Sequence, residues 1–134
     1  MDDIDILEQR THFEVVETLM EFPFNVSQVG FNMLVSCIKK VLKIDIPDVS
    51  YTKTIFKEVS EEFNVTIQQL EKYMRDTLVT LNVNCLNDPS IEYPNYLIKA
   101  TLSETKVKNF ISTMALYIKA KHNRNVLASY NKNC

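Results

Sequence analysis

Glycine is almost absent from this chain of 134 residues, which contains one glycine and four prolines. Phosphate-binding loops are built from glycines at fixed spacing, so neither a P-loop nor a dinucleotide-binding fingerprint is present. The tight turns of β-sandwiches and barrels also depend on glycine. Hydrophobic residues make up 46% of the chain and charged residues 24%, so the composition is globular and favours a helical fold.

Cysteine and histidine are also scarce. Cys37, Cys85 and Cys134 form no CxxC pair, and an odd number of cysteines argues against a disulfide framework. The two histidines, His12 and His122, are too far apart in the sequence to match the spacing of a zinc site. Cys37 falls in an apolar stripe, which is typical of a small core residue rather than a nucleophile. We therefore expect no metal, no cofactor and no enzymatic activity.

Long apolar runs are missing as well. No stretch of 18 apolar residues occurs, so the sequence predicts no membrane span and no membrane partner. The N-terminus is acidic, with Asp2, Asp3 and Asp5, where a secretory signal peptide would be basic. These features predict a cytoplasmic protein.

Charge is present but unevenly distributed. Residues 1–30 carry seven acids and one arginine, whereas residues 99–134 carry seven bases and one acid. The formal net charge is −2. A protein that binds nucleic acid needs a local basic face rather than a basic total, so this distribution is compatible with such a function.

Apolar residues recur every three or four positions in five segments, which predicts an all-α fold. The predicted helices cover residues 10–21, 28–43, 50–62, 67–81 and 104–121. Residues 82–100 fit a loop, a short helix or an extended segment, so the domain has five or six helices. An acidic arm over 1–9 and a polar tail over 122–134 flank the helical domain predicted over 10–121.

Each predicted helix has an apolar stripe. The stripe of the first helix consists of Phe13, Val16, Leu19 and Met20. The second helix, with Ser27 as its expected cap, has the stripe Gly30, Leu34, Cys37, Ile38, Val41 and Leu42. The stripe of the last helix is Val107, Phe110, Ile111, Met114 and Ile118.

The third and fourth helices are joined by about three residues, Asn64-Val65-Thr66, as in a helix-turn-helix. Asn64 tolerates the left-handed conformation that ends helices, and Thr66 with Gln69 forms a T-x-x-Q capping box. The fourth helix has an inner stripe of Ile67, Leu70, Met74, Leu78 and Leu81. Its outward polar residues include Gln68, Gln69, Lys72 and Arg75. In a DNA-bound helix-turn-helix, such side chains contact base edges and phosphates in the major groove.

The same residues carry a resemblance to a known family. The matching positions are Gly30 through Leu42, Thr52-Lys53, Phe63-Asn64-Val65-Thr66, Leu70-Glu71-Lys72 and Arg75. The similarity extends weakly upstream to about Phe13 and downstream to Tyr117-Ile118-Lys119. This pattern resembles the C-terminal DNA-binding effector domains of the sporulation master response regulators of endospore-forming bacteria, the stage-zero sporulation protein A family.

The resemblance implies a helical domain that controls transcription by binding double-stranded DNA, with homodimers meeting head to tail on tandem sites. By position, its DNA-contacting residues correspond to Gln68, Gln69, Glu71, Lys72, Arg75 and Asp76. The pair Thr52 and Lys53 would lie near the DNA backbone. Only nine residues precede the first predicted helix, so we expect no phosphate-accepting receiver domain in this chain.

Four positions depart from the family pattern. Gln69 replaces an arginine, Asp76 replaces a histidine, and Glu61 and Glu62 replace two lysines. Acidic residues repel phosphate and should weaken non-specific DNA binding.

The sequence therefore leaves two hypotheses about function open. The first is a small DNA-binding transcriptional regulator, with RNA polymerase as a further partner. The second is an interaction module or decoy that pairs with a full-length sporulation regulator and binds DNA weakly or not at all.

Overall fold

The computed structural model describes residues 3–44, 53–87 and 107–132. These residues form five α-helices: α1 (Asp3–Leu19), α2 (Val29–Leu42), α3 (Ile55–Glu62), α4 (Ile67–Asn87) and α5 (Val107–Lys132). The described part of the chain contains no strand. The predicted all-α fold class is therefore confirmed. Among the described helices, none combines the length and the hydropathy needed to cross a lipid bilayer.

Helix α2 is the centre of the fold, because it contacts each of the other four helices. The predicted stripe is confirmed at Gly30, Leu34, Cys37 and Ile38, which are all buried, while Val41 and Leu42 are half-buried. The structure adds three buried residues on other sides of the helix, Phe31, Met33 and Val35. A helix buried on most of its circumference has no single apolar stripe, which is why the sequence pattern identified only part of its core.

The only glycine of the chain lies where α2 crosses α4. A Cβ atom at Gly30 would collide with the Thr77 hydroxyl and with the Tyr73 backbone carbonyl. The Thr77 hydroxyl donates a 3.0 Å hydrogen bond to that same carbonyl, so both atoms are held in place under Gly30. Glycine at this position lets the two helix backbones approach more closely than any side chain would permit.

The buried face of α1 differs from the predicted one. Val15, Thr18 and Leu19 are buried, whereas Phe13 is 61% exposed and Met20 is 60% exposed. The prediction was therefore wrong for Phe13 and Met20 and is confirmed for Leu19. Val16, the fourth residue of the predicted stripe, is half-buried. Two overlapping apolar stripes run along this helix, and sequence periodicity alone could not identify the one that faces α2 and α5.

The start of α2 also departs from the prediction. The N-cap residue is Gln28, which makes no side-chain capping bond. Ser27, the expected cap, instead donates its hydroxyl to Asn25 Oδ1 at 2.6 Å. The Gln28 side chain reaches α4, where its Nε2 donates to the Thr80 hydroxyl at 3.2 Å. Local turn bonding and a contact with α4 have taken the place of the predicted cap.

Several helix ends lie away from their predicted positions. Helix α1 begins at Asp3, inside the segment expected to be an arm. Helix α4 continues to Asn87, so residues 82–87 of the ambiguous segment are helical, and the remainder of that segment lies outside the described residues. Helix α5 continues to Lys132, through most of the segment expected to be a tail. Polar surface residues do not end a helix by themselves, and no glycine or proline follows the predicted ends at residues 81 and 121 closely, whereas Pro89 comes two residues after the observed end of α4.

The inner face of α5 is confirmed as predicted. Its buried residues include Val107, Phe110, Ile111, Met114 and Ile118. The Phe110 ring packs edge-on against Phe24, with 6.0 Å between ring centroids, and thereby ties α5 to the segment that links α1 to α2. The helix-turn-helix formed by α3 and α4 is therefore held on a core completed by α1, α2 and α5.

Candidate nucleic-acid interface

The turn between α3 and α4 is a Schellman motif centred on Asn64. Asn64 has a φ of 55°, and among the residues that the structure describes no other non-glycine residue has a positive φ. The Val65 amide donates to the Ser60 carbonyl at 2.9 Å, and the Asn64 amide donates to the Glu61 carbonyl at 3.2 Å. These two bonds satisfy carbonyls that the end of α3 would otherwise leave free. The predicted left-handed helix end at Asn64 is confirmed.

The start of α4 is fixed by the capping box that the sequence predicts. The backbone amide of Gln69 donates to the Thr66 hydroxyl at 3.1 Å, and the backbone amide of Thr66 donates to the side-chain oxygen Oε1 of Gln69 at 2.9 Å. Each residue thus satisfies a backbone donor of the other. The Schellman motif and the capping box together set the angle at which α4 leaves α3.

Helix α4 has one buried side and one polar side over its first three turns. Leu70, Met74, Leu78 and Leu81 are buried, as predicted, and Ile67 is half-buried. Met74 lies against α2, with its Sδ 3.8 Å from the Sγ of Cys37. Because this contact holds the apolar side of α4 inward, the register of the opposite side is fixed.

The predicted site residues on that opposite side are largely exposed. Gln68, Gln69, Lys72, Arg75 and Asp76 are exposed, and Glu71 is half-buried. Lys53 is exposed in the turn before α3. Thr52 lies outside the described residues. The structure thus brings the α4 residues to one surface at the start of the helix, and their contact with DNA remains a prediction.

Two of the three acidic residues of α3 bond to side chains of α2. The Glu62 carboxylate accepts a 2.8 Å hydrogen bond from the Ser36 hydroxyl of α2. Glu58 forms a 3.3 Å ion pair with Lys40, also on α2. Glu61 is exposed. Glu62, one of the two acids expected to replace family lysines, therefore contributes to the contact between α2 and α3.

One exposed basic residue of the helix-turn-helix was absent from the predicted site. Lys57 is exposed on α3, four residues after Lys53. The spacing of four between the two lysines was the available signal, because the helix predicted over 50–62 would place both on one side. In the structure α3 begins at Ile55, so Lys53 lies in the preceding turn and Lys57 in the first turn of the helix.

Burial alters the chemistry of two potentially reactive side chains, Cys37 and His12. Cys37 is completely buried, as predicted for a core residue, and burial raises the pKa of its thiol to about 12. A thiol with so high a pKa is almost entirely protonated at neutral pH and reacts poorly. His12 contacts Lys39, whose Nζ lies 3.3 Å from the His12 Nδ1. Burial and this lysine lower the pKa of His12, so its imidazole is predominantly neutral at pH 7.

Comparison with protein families gives one match. The family model described as "Sporulation initiation factor Spo0A C terminal" matches residues 15–118. The chain belongs to this family. Its members are helical DNA-binding domains of sporulation regulators, which confirms the resemblance deduced from the sequence. Comparison with curated proteins found no match, and neither did comparison with solved structures.

The Spo0A C-terminal match places the helix-turn-helix inside the family region. It includes α2, α3 and α4 completely, and also the last turn of α1 and the first half of α5. The matched region therefore contains the polar surface of α4 and the core that supports it. The part of α1 from Asp3 to Glu14 and the part of α5 after Ile118 extend beyond the family match.

Proposed function

We propose that the chain is a sequence-specific DNA-binding protein and a small transcriptional regulator, with α4 as its recognition helix. The observation that carries this proposal is the polar surface formed by Gln68, Lys72 and Arg75 at the start of α4. The turn and the capping box present this surface, and a helix of this width fits the major groove. In this proposal Gln68 and Gln69 contact base edges and read the DNA sequence. Lys72 and Arg75 contact the DNA backbone through their charge.

Gln68 and Gln69 have different freedom to read bases. A glutamine pairs with adenine through both its amide oxygen and its amide nitrogen. Gln69 Oε1 is already bound to the Thr66 amide, whereas Gln68 is exposed beside the capping box. Gln69 must release this bond to pair with adenine in full, so its base reading is coupled to the cap of α4. Gln68 carries no such constraint.

The test of the proposal is a mobility-shift experiment with a random-duplex library at two salt concentrations. Binding to an enriched motif that survives the higher salt concentration supports the proposal. Affinity that disappears with salt and shows no motif contradicts sequence-specific recognition.

A first prediction concerns Lys72 and Arg75. We expect Lys72→Ala to weaken binding to all sequences and to reduce the slope of log affinity against log salt by about one, because one phosphate contact is lost. Arg75→Ala should likewise weaken binding to all sequences and reduce the same slope, because its contact is also charge-based. Lys108→Ala is the matched control, since Lys108 is an exposed lysine outside the helix-turn-helix. Unchanged affinity and slope in both α4 variants would remove this helix from the interface.

A second prediction concerns the base preference set by Gln69. Gln69→Arg should move the preferred base at one position from adenine to guanine, with about 1–3 kcal/mol of discrimination, and should raise non-specific affinity. Selection from a random library measures both effects. Gln69→Glu is the control, because glutamate preserves the capping box but lacks the amide donors. The same motif for wild type and Gln69→Arg would show that Gln69 reads no base.

The alternative function is an interaction module that pairs with a full-length sporulation regulator. Asp76 favours it, because this acid is exposed on α4 one turn after Lys72 and opposes the approach of phosphate. Such a module would bind little DNA itself and would lower the DNA affinity of the full-length regulator when the two are mixed. A titration of the chain into a regulator–DNA complex distinguishes the two functions.

A further inference from the structure

Helix α1 carries an exposed apolar stripe that the core does not use. Ile6, Phe13 and Met20 follow one another at intervals of seven residues and are 38%, 61% and 60% exposed. The Met20 amide donates to the Val16 carbonyl at 2.9 Å, so helical geometry continues as far as Met20. Residues seven apart lie almost in line along a helix, and these three span about 21 Å. A stripe of large apolar side chains on a protein surface marks an interaction site.

A groove runs beside the centre of this stripe. Its apolar lining consists of Phe13, Leu42 and Ile118, contributed by α1, α2 and α5. Its volume is about 760 Å³, and its mouth is open to solvent. The groove is therefore large enough to receive an aromatic side chain from outside, next to the exposed ring of Phe13.

The charged residues near this stripe differ in whether they pair within the chain. Glu8 and Glu14 of α1, and Glu21 just after it, pair with Lys43, His122 and Lys121 respectively. Arg10 and Glu17 are exposed on the border of the groove, and within the described part of the chain neither has an ion-pair partner. They lie seven residues apart, so they occupy the same side of the apolar stripe.

We propose that α1 pairs with α1 of a second copy of this chain, in antiparallel orientation, about a two-fold axis near Phe13. In this arrangement Ile6 lies opposite Met20 of the second copy, and the two Phe13 rings meet at the axis. At the axis each ring packs against the other, beside the open groove of the facing copy. Arg10 then faces Glu17 of the second copy, and the same ion pair forms again on the other side of the axis.

A second copy of this chain is the partner that fits the exposed surface of α1, because that surface is complementary to itself. A two-fold interface requires one patch to match its own reversed copy. The apolar residues are symmetric about Phe13, and the opposite charges of Arg10 and Glu17 are symmetric about a point within one residue of it. A head-to-tail contact on tandem DNA sites would join two different surfaces, so this interface is separate from it. The inference does not rest on the proposed DNA binding.

Sedimentation of the purified chain over a range of concentrations tests the proposal. We expect a concentration-dependent dimer, and we expect Phe13→Glu to raise its dissociation constant by at least about 30-fold, because Phe13 is the central apolar contact. Phe13 is exposed, so the helical circular dichroism spectrum should not change. Leu116→Glu is the matched control, because Leu116 is a large apolar residue on α5 that is 69% exposed.

Charge exchange identifies the partner surface directly. Arg10→Glu and Glu17→Arg should each weaken the homodimer, and the double variant should restore it. A mixture of the two single variants should form heterodimers, since every cross-pair is then between opposite charges. A chain that stays monomeric at millimolar concentration overturns the proposal. A dimer that tolerates Phe13→Glu, or that responds equally to Leu116→Glu, also overturns it.

Discussion

Leu70→Ala is expected to destabilise the protein by about 2–5 kcal/mol. Leu70 is completely buried on the inner side of α4, in the same core cluster as Met74 and Val59. Truncation removes buried methyl groups and leaves a cavity beside helices that are held in place by other contacts. The midpoint of thermal unfolding should fall by roughly 10 °C, as measured by circular dichroism.

Val79→Ala is the matched control for this variant, because Val79 is an exposed apolar residue on the same helix. Its unfolding free energy should lie within about 0.5 kcal/mol of the wild-type value. A midpoint for Leu70→Ala within a degree of wild type would contradict the register of α4. It would thereby also contradict the outward placement of Lys72 and Arg75.

Gly30→Ala should lower the free energy of unfolding by about 3 kcal/mol, at the upper end of the range for overpacked sites. In most helices alanine is more stable than glycine by about 0.5–1 kcal/mol, so the expected sign is opposite to the usual one. The reason is that the added methyl group meets the Tyr73 carbonyl and the Thr77 hydroxyl. Neither can move away unless α2 and α4 separate.

Chemical denaturation with urea measures the effect of Gly30→Ala. Asn32→Ala serves as the control, because Asn32 is exposed on α2 two residues further along the helix. We expect Asn32→Ala to leave the stability within about 0.5 kcal/mol of wild type. Equal or greater stability of Gly30→Ala would show that the close crossing of α2 and α4 does not exist in solution.

The helix-turn-helix was predictable because its signals are local. Asn64, Thr66 and Gln69 act on backbone groups within a few residues of themselves, and the structure has the expected helix end and capping box. The inner stripe of α4 was equally clear, since this helix faces the core with one side. The candidate DNA-contacting residues could therefore be placed on a surface before the fold was known.

The predictions failed where a residue depends on distant parts of the chain. Ser27 is a good capping residue, but it bonds to Asn25, and Gln28 is drawn to α4 instead. The stripe of α1 failed for a related reason. Two apolar faces compete on this helix, and only contact with α2 and α5 selects Val15 and Leu19 for the core.

The sequence by itself determined the all-helical class, the family and the local geometry of the turn between α3 and α4, because periodicity and capping act over a few residues. The tertiary structure decided which face of α1 is buried and which side chain bonds to Glu62, namely Ser36. It also explains why position 30 requires a glycine, because α4 lies directly against it. These features depend on the distance between helices that are far apart in the chain. The same packing leaves Phe13 and Met20 at the surface, where a sequence pattern alone would have placed them in the core.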